Sequence, residues 1–126
     1  MAASTIRQYH AQARSTEALG RVLCSARHHH FIIDGPQQAG FPGEALGPGE
    51  AFLAGVAACG VELVQALARD DGMALKGIKV DISGMMDRSK PVRPDVTLFN
   101  AVALDFELDG VTESQAESLV ERFRGR

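Results

Sequence analysis

One long apolar segment in the middle of the sequence restricts the possible folds more than any other feature. Large apolar residues recur there at spacings of three and four, namely Phe52, Val56, Cys59, Leu63 and Leu67. This spacing predicts a helix over about residues 49–69 with one apolar face, because an α-helix has about 3.6 residues per turn. A helix of that length is roughly 30 Å long, enough to cross a small domain. We therefore expect it to be the central helix of the fold.

Small residues give this helix a slim surface, and a glycine marks its end. Ala57, Ala58 and Gly60 make the helix slim, so another backbone could approach it closely. Two aspartates precede Gly72, and glycine is the usual left-handed residue after the last turn of a helix. We expect the helix to end there.

The segments that flank the helix show the alternation of strands. Before the helix we predict strands over residues 6–14 and 21–34, joined by a polar turn that ends at Gly20. After the helix, alternating apolar residues predict strands over residues 75–85 and 96–108. These four strands surround the central helix in the order β-β-α-β-β.

A second, shorter helix is expected at the end of the sequence. Thr112 is followed three residues later by Gln115, a pair typical of a capping box at a helix start. The whole order is therefore β-β-α-β-β-α, which indicates the α+β class. With 126 residues, the chain has the size of a single domain, residues 1–126.

Charge balance and cysteine content narrow the possible functions. The 13 Lys+Arg residues face 16 Asp+Glu residues, so the chain lacks the basic excess of a nucleic-acid-binding protein. Two cysteines are too few for a disulfide framework, which favours a reducing compartment. The first ten residues lack the apolar core of a secretory signal, and the uncharged apolar run over residues 51–61 is too short to span a bilayer. We expect a cytoplasmic protein with neither nucleic-acid nor membrane partners.

Cys59 is the main candidate for chemistry, and its position in the sequence permits two interpretations. A free cysteine on an apolar helix face often packs as a small buried hydrophobe. A reactive thiolate would instead need a lowered pKa, and Cys59 lies too far from the helix start for the helix dipole to help. A cation from elsewhere would then have to stabilise it. Cys24, on the second predicted strand, is expected to be structural.

Other polar residues near these segments have weaker claims to a function. His28, His29 and His30 stand together, and on one strand the first and third would share a face. Two ligands are too few for a typical metal site, so no metal is expected. Arg27 is a surface charge or the cation for Cys59. Glu50 is a favourable acid in the first helical turn or a carboxylate that lines a pocket.

Several sequence blocks, in order, resemble the OsmC/Ohr superfamily, named after osmotically inducible protein C and the organic hydroperoxide resistance protein. Residues 30–36 (HFIIDGP) form an Asp-x-Pro element before a glycine-rich loop. Residues 47–59 (GPGEAFLAGVAAC) form a helix start that leads into Ala-Ala-Cys. Residues 75–80 and 109–117 are similar to the strand after the central helix and to the last helix. The resemblance covers nearly the whole chain.

The resemblance implies both a fold and an activity. It implies an OsmC-like α+β fold, an antiparallel sheet with a long central helix, in which two chains intertwine as a homodimer with sites at their interface. It also implies thiol-dependent reduction of hydroperoxides, mainly organic ones, in bacterial stress and redox protection. Cys59 then takes the place of the nucleophile that becomes a sulfenic acid. Arg27 is a match for the activating arginine and Glu50 for a pocket carboxylate, with a thiol reductant and no cofactor.

Two features depart from the family pattern. Gly49 stands where the hydroperoxide resistance members carry an acidic residue, and Glu50 lies one place later, as in broader OsmC-like members. The family's resolving cysteine follows the last helix, usually as Cys-Pro, whereas this sequence ends at Arg126. We therefore expect the C-terminal strand with the second cysteine to be missing from these residues.

These observations leave competing hypotheses of function. The first is an OsmC-like thiol-dependent peroxidase in which Cys59 attacks a hydroperoxide. The second is a non-catalytic OsmC-like dimer that binds a small apolar ligand at its interface, with Cys59 serving only for packing. A third is a structural or interaction protein without pocket chemistry.

Overall fold

A computed structural model describes residues 5–95, 97 and 99–125 of the chain. The chain divides into two compact units, residues 1–51 and 52–126. Within the described residues, two helices and two antiparallel sheets confirm the predicted α+β class. The elements are β1 (Gln12–Ser15), β2 (Arg21–Ala26), β3 (His29–Asp34), a 3-10 turn (Gln37–Ala39), α1 (Pro48–Asp70), β4 (Gly77–Met85), β5 (Ala101–Asp109) and α2 (Glu113–Arg124).

The first unit contains a three-stranded antiparallel sheet in the order β1-β2-β3. The prediction of one continuous strand over residues 21–34 is wrong, because the chain reverses at Arg27 and His28 and forms a hairpin. Arg27 adopts a left-handed φ of 55°, a conformation that hairpin turns usually assign to Gly, Asn or Asp. The first predicted strand is also shorter than expected, since β1 begins only at Gln12.

A loop over residues 35–46 connects this sheet to α1. Phe41 is half-buried inside the loop, and a Cβ atom added to Gly20 or Gly35 would overlap its ring. Both glycines are therefore required for the close approach of the aromatic ring to the backbone. The glycine-rich segment between β3 and α1 thus folds around the ring of Phe41.

The second unit contains a two-stranded sheet in which β4 and β5 pair along their whole length, from Gly77 opposite Asp109 to Met85 opposite Ala101. Val80 pairs with Phe106, and the predicted alternation of both strands is confirmed. The strand predicted over residues 96–108 corresponds to β5, which begins at Ala101. Val96, its predicted start, lies outside the described residues, as do residues 1–4, Leu98 and Arg126.

The apolar core of the second unit forms where α1 meets α2. Val64 and Leu119 are fully buried, and Leu67 and Ala68 complete the cluster. Phe106 and Phe123 pack against it with their ring centres 5.4 Å apart. The other partly buried members of this packing are Leu63, Met73, Leu75, Ile78 and Leu108.

Both predicted helix signals are confirmed. Gly72 has a φ of +68°, its N–H donates to Arg69, and the N–H of Met73 donates to Ala68. These two bonds make a Schellman motif at the end of α1. At the start of α2, Thr112 and Gln115 form a capping box with bonds of 3.0 and 3.1 Å.

Among the described residues, α1 is a helix long and apolar enough to cross a membrane, judged by length and composition alone. Core helices of soluble proteins satisfy the same criterion. The last three turns of α1 carry the apolar core of the second unit.

Candidate functional site

Cys59 is exposed in this chain. The side of α1 that faces the core carries Gly60, Val64 and Leu67, and Cys59 points away from it. Of the predicted apolar stripe, Leu67 is buried and Leu63 packs against the core, whereas Phe52 and Cys59 are exposed. The interpretation of Cys59 as a small buried hydrophobe does not hold for the single chain.

Small residues surround Cys59 on the exposed side of α1. Ala54, Gly55 and Ala58 are exposed like Cys59, and their spacing places them on one stripe of the helix. Gly60 does not belong to this slim surface as predicted, because a Cβ atom there would lie 3.5 Å from the ring of Phe106 in the same unit. Gly60 is buried against Phe106 and Phe123, where an added Cβ would make ordinary contacts of 3.5–3.6 Å.

Glu50 stabilises the start of α1. It is exposed and lies in the first turn, and its Oε1 accepts a hydrogen bond of 2.9 Å from the N–H of Gly47. This contact satisfies a free N–H at the helix start, where a negative charge is favoured. The interpretation of Glu50 as a favourable first-turn acid is thus confirmed.

Glu50 also lines a cavity of about 560 Å³ within the first unit. One wall is the chain from Asp34 to Gln38, and the other is the segment from Gly43 to Glu50. No lysine or arginine is among its lining residues, and Arg27 is not part of it. The structure therefore brings Glu50 together with Asp34 rather than with Arg27.

Arg27 lies in the turn between β2 and β3, where its side chain is exposed. Within the described residues it forms no ion pair, so its guanidinium is free to bind an anionic group. Its position in a turn follows from the hairpin that the sequence analysis did not foresee.

The hairpin also rearranges the three histidines. His28 belongs to the turn, whereas His29 and His30 lie on β3, so the prediction that His28 and His30 share a strand face is wrong. His30 Nδ1 lies 2.8 Å from the hydroxyl of Ser25 on the paired strand. In the described part of the chain, no group of three or more His, Cys, Asp or Glu side chains could hold a metal ion.

An ion pair between Arg21 and Asp34 is a feature that the sequence analysis missed. The two residues face each other across β2 and β3, with Nε donating to Oδ1 at 2.8 Å and Nη2 donating to Oδ2 at 2.9 Å. Nη2 also lies 3.3 Å from Oε1 of Glu44. A hairpin centred between Arg27 and His28 would have predicted this pairing, because it places residues 21 and 34 opposite each other.

Asp34 is completely buried and fully satisfied. Its side chain accepts bonds from Arg21 and from the N–H groups of Glu44 and Ala45, the latter two at 3.0 and 2.8 Å. The hydrogen bond from Arg21 is the main reason why the pKa of Asp34 lies well below its usual range, and the two amides add to this effect against the opposing effect of burial. Asp34 therefore remains a carboxylate throughout the neutral range.

Cys24 differs from Cys59 in its surroundings. It lies on β2 opposite Phe31, is buried, and is a free cysteine, as is Cys59. A buried thiol of this kind is a structural residue, in agreement with the role expected for Cys24.

Comparisons with known proteins identify similar folds. The OsmC-like protein of Mycoplasma pneumoniae is 16% identical, with a TM-score of 0.80 over 95% of this chain and 82% of that one. An organic hydroperoxide resistance protein OsmC from Legionella pneumophila is 23% identical, with a TM-score of 0.68 over 94% and 82%. The organic hydroperoxide resistance protein OhrB of Bacillus subtilis is 24% identical, with a TM-score of 0.59 over 91% and 82%. No curated protein matches the sequence significantly.

A family comparison extends the structural likeness to the sequence. The family of OsmC-like proteins matches residues 41–126, which include the whole of α1 with Cys59. The predicted OsmC-like fold is confirmed by these structures. The chain belongs to the family of OsmC-like proteins.

Proposed function

We propose that this chain is a thiol-dependent peroxidase that reduces organic hydroperoxides with Cys59 as the nucleophile. The observation that carries the proposal is the exposed thiol on α1, at the Ala-Ala-Cys position within the segment that matches the OsmC-like family. Two proteins with similar folds are described as organic hydroperoxide resistance proteins, which supports the substrate class.

The proposed reaction transfers one oxygen atom to sulfur. The Cys59 thiolate attacks the distal oxygen of the hydroperoxide, the O–O bond breaks, and the alkoxide takes up a proton and leaves as the alcohol. Sulfur loses two electrons and becomes a sulfenic acid. A thiol reductant then condenses with the sulfenic acid, which releases water and forms a mixed disulfide. A second thiol of the reductant attacks this disulfide and restores Cys59.

Arg27 and Glu50 have proposed roles in this reaction. Arg27 carries a guanidinium without an ion-pair partner among the described residues, and such a cation would lower the pKa of a nearby thiol. We assign it the activation of Cys59 in an assembled dimer. Glu50 supplies a carboxylate at the wall of the cavity, with one oxygen already bound to Gly47.

The exposed side of α1 supports a homodimer as the active form. Phe52 is 61% exposed and adjoins the stripe of Ala54, Gly55 and Ala58. A large aromatic side chain that is exposed in the single chain, beside small apolar residues, is typical of a surface that another subunit covers. The proposed setting is the cytoplasm, where reduced thiols are available. An Ala58→Arg variant should dissociate to single chains in light scattering.

A non-catalytic role remains the second candidate, and the same exposed apolar surface favours it. A small apolar ligand held between two subunits would contact Phe52 and the small-residue stripe. This alternative predicts saturable ligand binding that Cys59→Ala leaves unchanged.

Peroxide consumption by matched cysteine variants tests the proposal. With cumene hydroperoxide and a dithiol, Cys59→Ser should consume peroxide no faster than buffer, because a hydroxyl cannot replace the thiolate. Cys24→Ser, which changes the buried cysteine, should retain the parent activity and serves as the control. Mass spectrometry should find one added oxygen on Cys59 in the absence of reductant. Equal activity of Cys59→Ser and the parent would contradict the proposal.

A further inference from the structure

One residue, Asp34, binds both ends of the loop over residues 35–46. The main-chain N–H of Asp34 donates to the carbonyl oxygen of Leu46 at 3.0 Å. Its side chain accepts from the N–H groups of Glu44 and Ala45. A compact loop whose ends meet in this way is an Ω-loop, and such loops are frequently functional. Asp34 thus closes the loop with both its backbone and its carboxylate.

Arg21 holds the residue that closes the loop. Its guanidinium makes two parallel bonds with the carboxylate of Asp34, a geometry that fixes both the distance and the orientation of the pair. Nη2 reaches Glu44 as well, so Arg21 contacts both ends of the loop. Because Asp34 has no exposure to water, no solvent molecule can take the place of a lost partner without rearrangement.

The bonds of this loop also determine where α1 begins. Leu46 precedes Gly47, whose N–H binds Glu50 in the first turn of the helix. The same segment forms one wall of the cavity, while Asp34 lies at the other. A change at the Arg21–Asp34 pair would therefore alter both the wall of the cavity and the position of Glu50.

Arg21 is poorly suited to activate a thiolate. Two of its nitrogens bind carboxylates, and this raises the pKa of Arg21 above its ordinary value through the hydrogen bond with Asp34. Its positive charge is matched by Asp34 and Glu44, so little of it remains for another anion.

We propose that Arg21 and Asp34 are positioning residues, which latch the loop over residues 35–46 and thereby hold Glu50 and the cavity wall in place for the substrate. The part that concerns the substrate rests on the proposed peroxidase function. The pair itself takes no part in the chemistry at Cys59. It sets the shape of the cavity, so it should govern the KM for an organic hydroperoxide rather than the rate of the chemical step.

The test compares three variants of the full chain. Arg21→Lys keeps the charge but loses the two parallel bonds, and Asp34→Asn loses the charge of the buried partner. Arg14→Lys, at an exposed arginine on β1, is the matched control. Should either latch variant fail to fold, Glu44→Gln removes only the exposed arm of the network and gives a smaller effect in the same direction.

Three readouts separate positioning from mere stability. Amide hydrogen exchange at Glu44 and Ala45 should accelerate by about tenfold or more in both latch variants, since these N–H groups lose a charged acceptor or its support. The KM for cumene hydroperoxide should rise severalfold while kcat changes by less than about twofold. The pKa of Cys59, followed by the pH dependence of its alkylation, should stay unchanged. The control should match the parent in all three.

Each contrary outcome overturns a specific statement. Unchanged exchange at Glu44 and Ala45 in both latch variants would refute the latch. A raised pKa of Cys59 in Arg21→Lys would make Arg21 an activating cation and refute the positioning role. A lowered stability with KM and kcat both unchanged would leave a structural pair only, which also refutes it. If the parent has no peroxidase activity, the proposed function fails, whereas accelerated exchange at the two amides still supports the latch.

Discussion

The two units of this chain are held together by different forces. In the described part of the first unit, the buried residues are Cys24 and Asp34, and the central contact is an ion pair with several hydrogen bonds. The second unit buries Val64, Leu67 and Leu119 in an apolar cluster. Directional polar bonds fix one loop in one geometry, whereas apolar packing stabilises a whole unit through many weak contacts.

The candidate residues are also divided between the two units. The first unit contains Arg27, Glu50 and the cavity, and its sheet leaves Phe31 and Ile32 exposed. The second unit carries Cys59 on a helix that its own core already supports. Substitutions in the two units should therefore differ in how far their effects spread.

The largest loss of stability is expected at Leu119. This side chain is fully buried in the cluster between α1 and α2, so Leu119→Ala should lower the free energy of unfolding by about 2–5 kcal/mol. Leu119→Met preserves volume and should cost less than about 1.5 kcal/mol. Urea unfolding measures both. A cost of Leu119→Ala as small as that of the methionine variant would mean that this cluster is not the core of the second unit.

Acid should loosen the first unit before it affects the second. The pKa of Asp34 is lowered in the folded chain, so its contribution to stability is complete above the unfolded pKa of about 4 and decreases as the pH falls below that value. Exchange at the amides of Glu44 and Ala45, corrected for its intrinsic pH dependence, should be constant from pH 7 to 5 and rise at lower pH. Exchange at amides of the apolar cluster, such as that of Val64, should not rise over the same pH range.

Asp34→Asn is the control for this acid effect. An amide has no charge to lose, so the variant should show faster exchange at Glu44 and Ala45 that is independent of pH between 5 and 3. A parent protein in which both units lose protection at the same pH would contradict the separation of the two forces.

Much of the second unit could be predicted from the sequence because its signals are local. The alternation in β4 and β5, Gly72 after α1 and the Thr112–Gln115 capping box each depend on residues a few positions apart. Local patterns of this kind determine hydrogen bonds within the same segment. They predicted the elements but only part of the face of α1 that packs, because α1 is apolar on several sides and its spacing alone cannot select one.

The first unit was less predictable because one unusual turn controls it. Arg27 and His28 carry none of the usual turn signals, yet the chain reverses there with a left-handed Arg27. Without this hairpin, Arg21 and Asp34 are the two ends of one strand; with it, they are opposite each other. The pairing of Arg21 with Asp34 could therefore not be predicted without first predicting the hairpin. Cys59 and Glu50 could be named as candidates from the sequence because both lie in the helix segment.

Two glycines with a left-handed backbone conformation, one in each unit, allow a direct comparison of the units. Gly72 has a φ of +68° and no atom within 4 Å of an added Cβ, so Gly72→Ala should cost only the strain of the conformation, about 1–2 kcal/mol. Gly20 has a φ of +84°, and its added Cβ would overlap the ring of Phe41. Gly20→Ala should cost a further 1–3 kcal/mol or so because the loop must repack. Equal costs in thermal unfolding would show that Phe41 does not hold the loop against Gly20.

The smallest effect is expected at a polar contact of the second unit, the capping box of α2. Thr112→Ala removes the acceptor for the N–H of Gln115 and should cost about 1 kcal/mol, whereas Thr112→Ser keeps the hydroxyl and should cost almost nothing. This bond lies at the surface and Thr112 is exposed, so water can replace the lost oxygen. The same kind of bond is more consequential at Asp34, where water is excluded. Urea unfolding measures the loss of free energy of unfolding in Thr112→Ala. If that loss were as large as in Leu119→Ala, the second unit would depend on its polar caps as the first depends on its latch. Burial would then not explain the contrast between the two units.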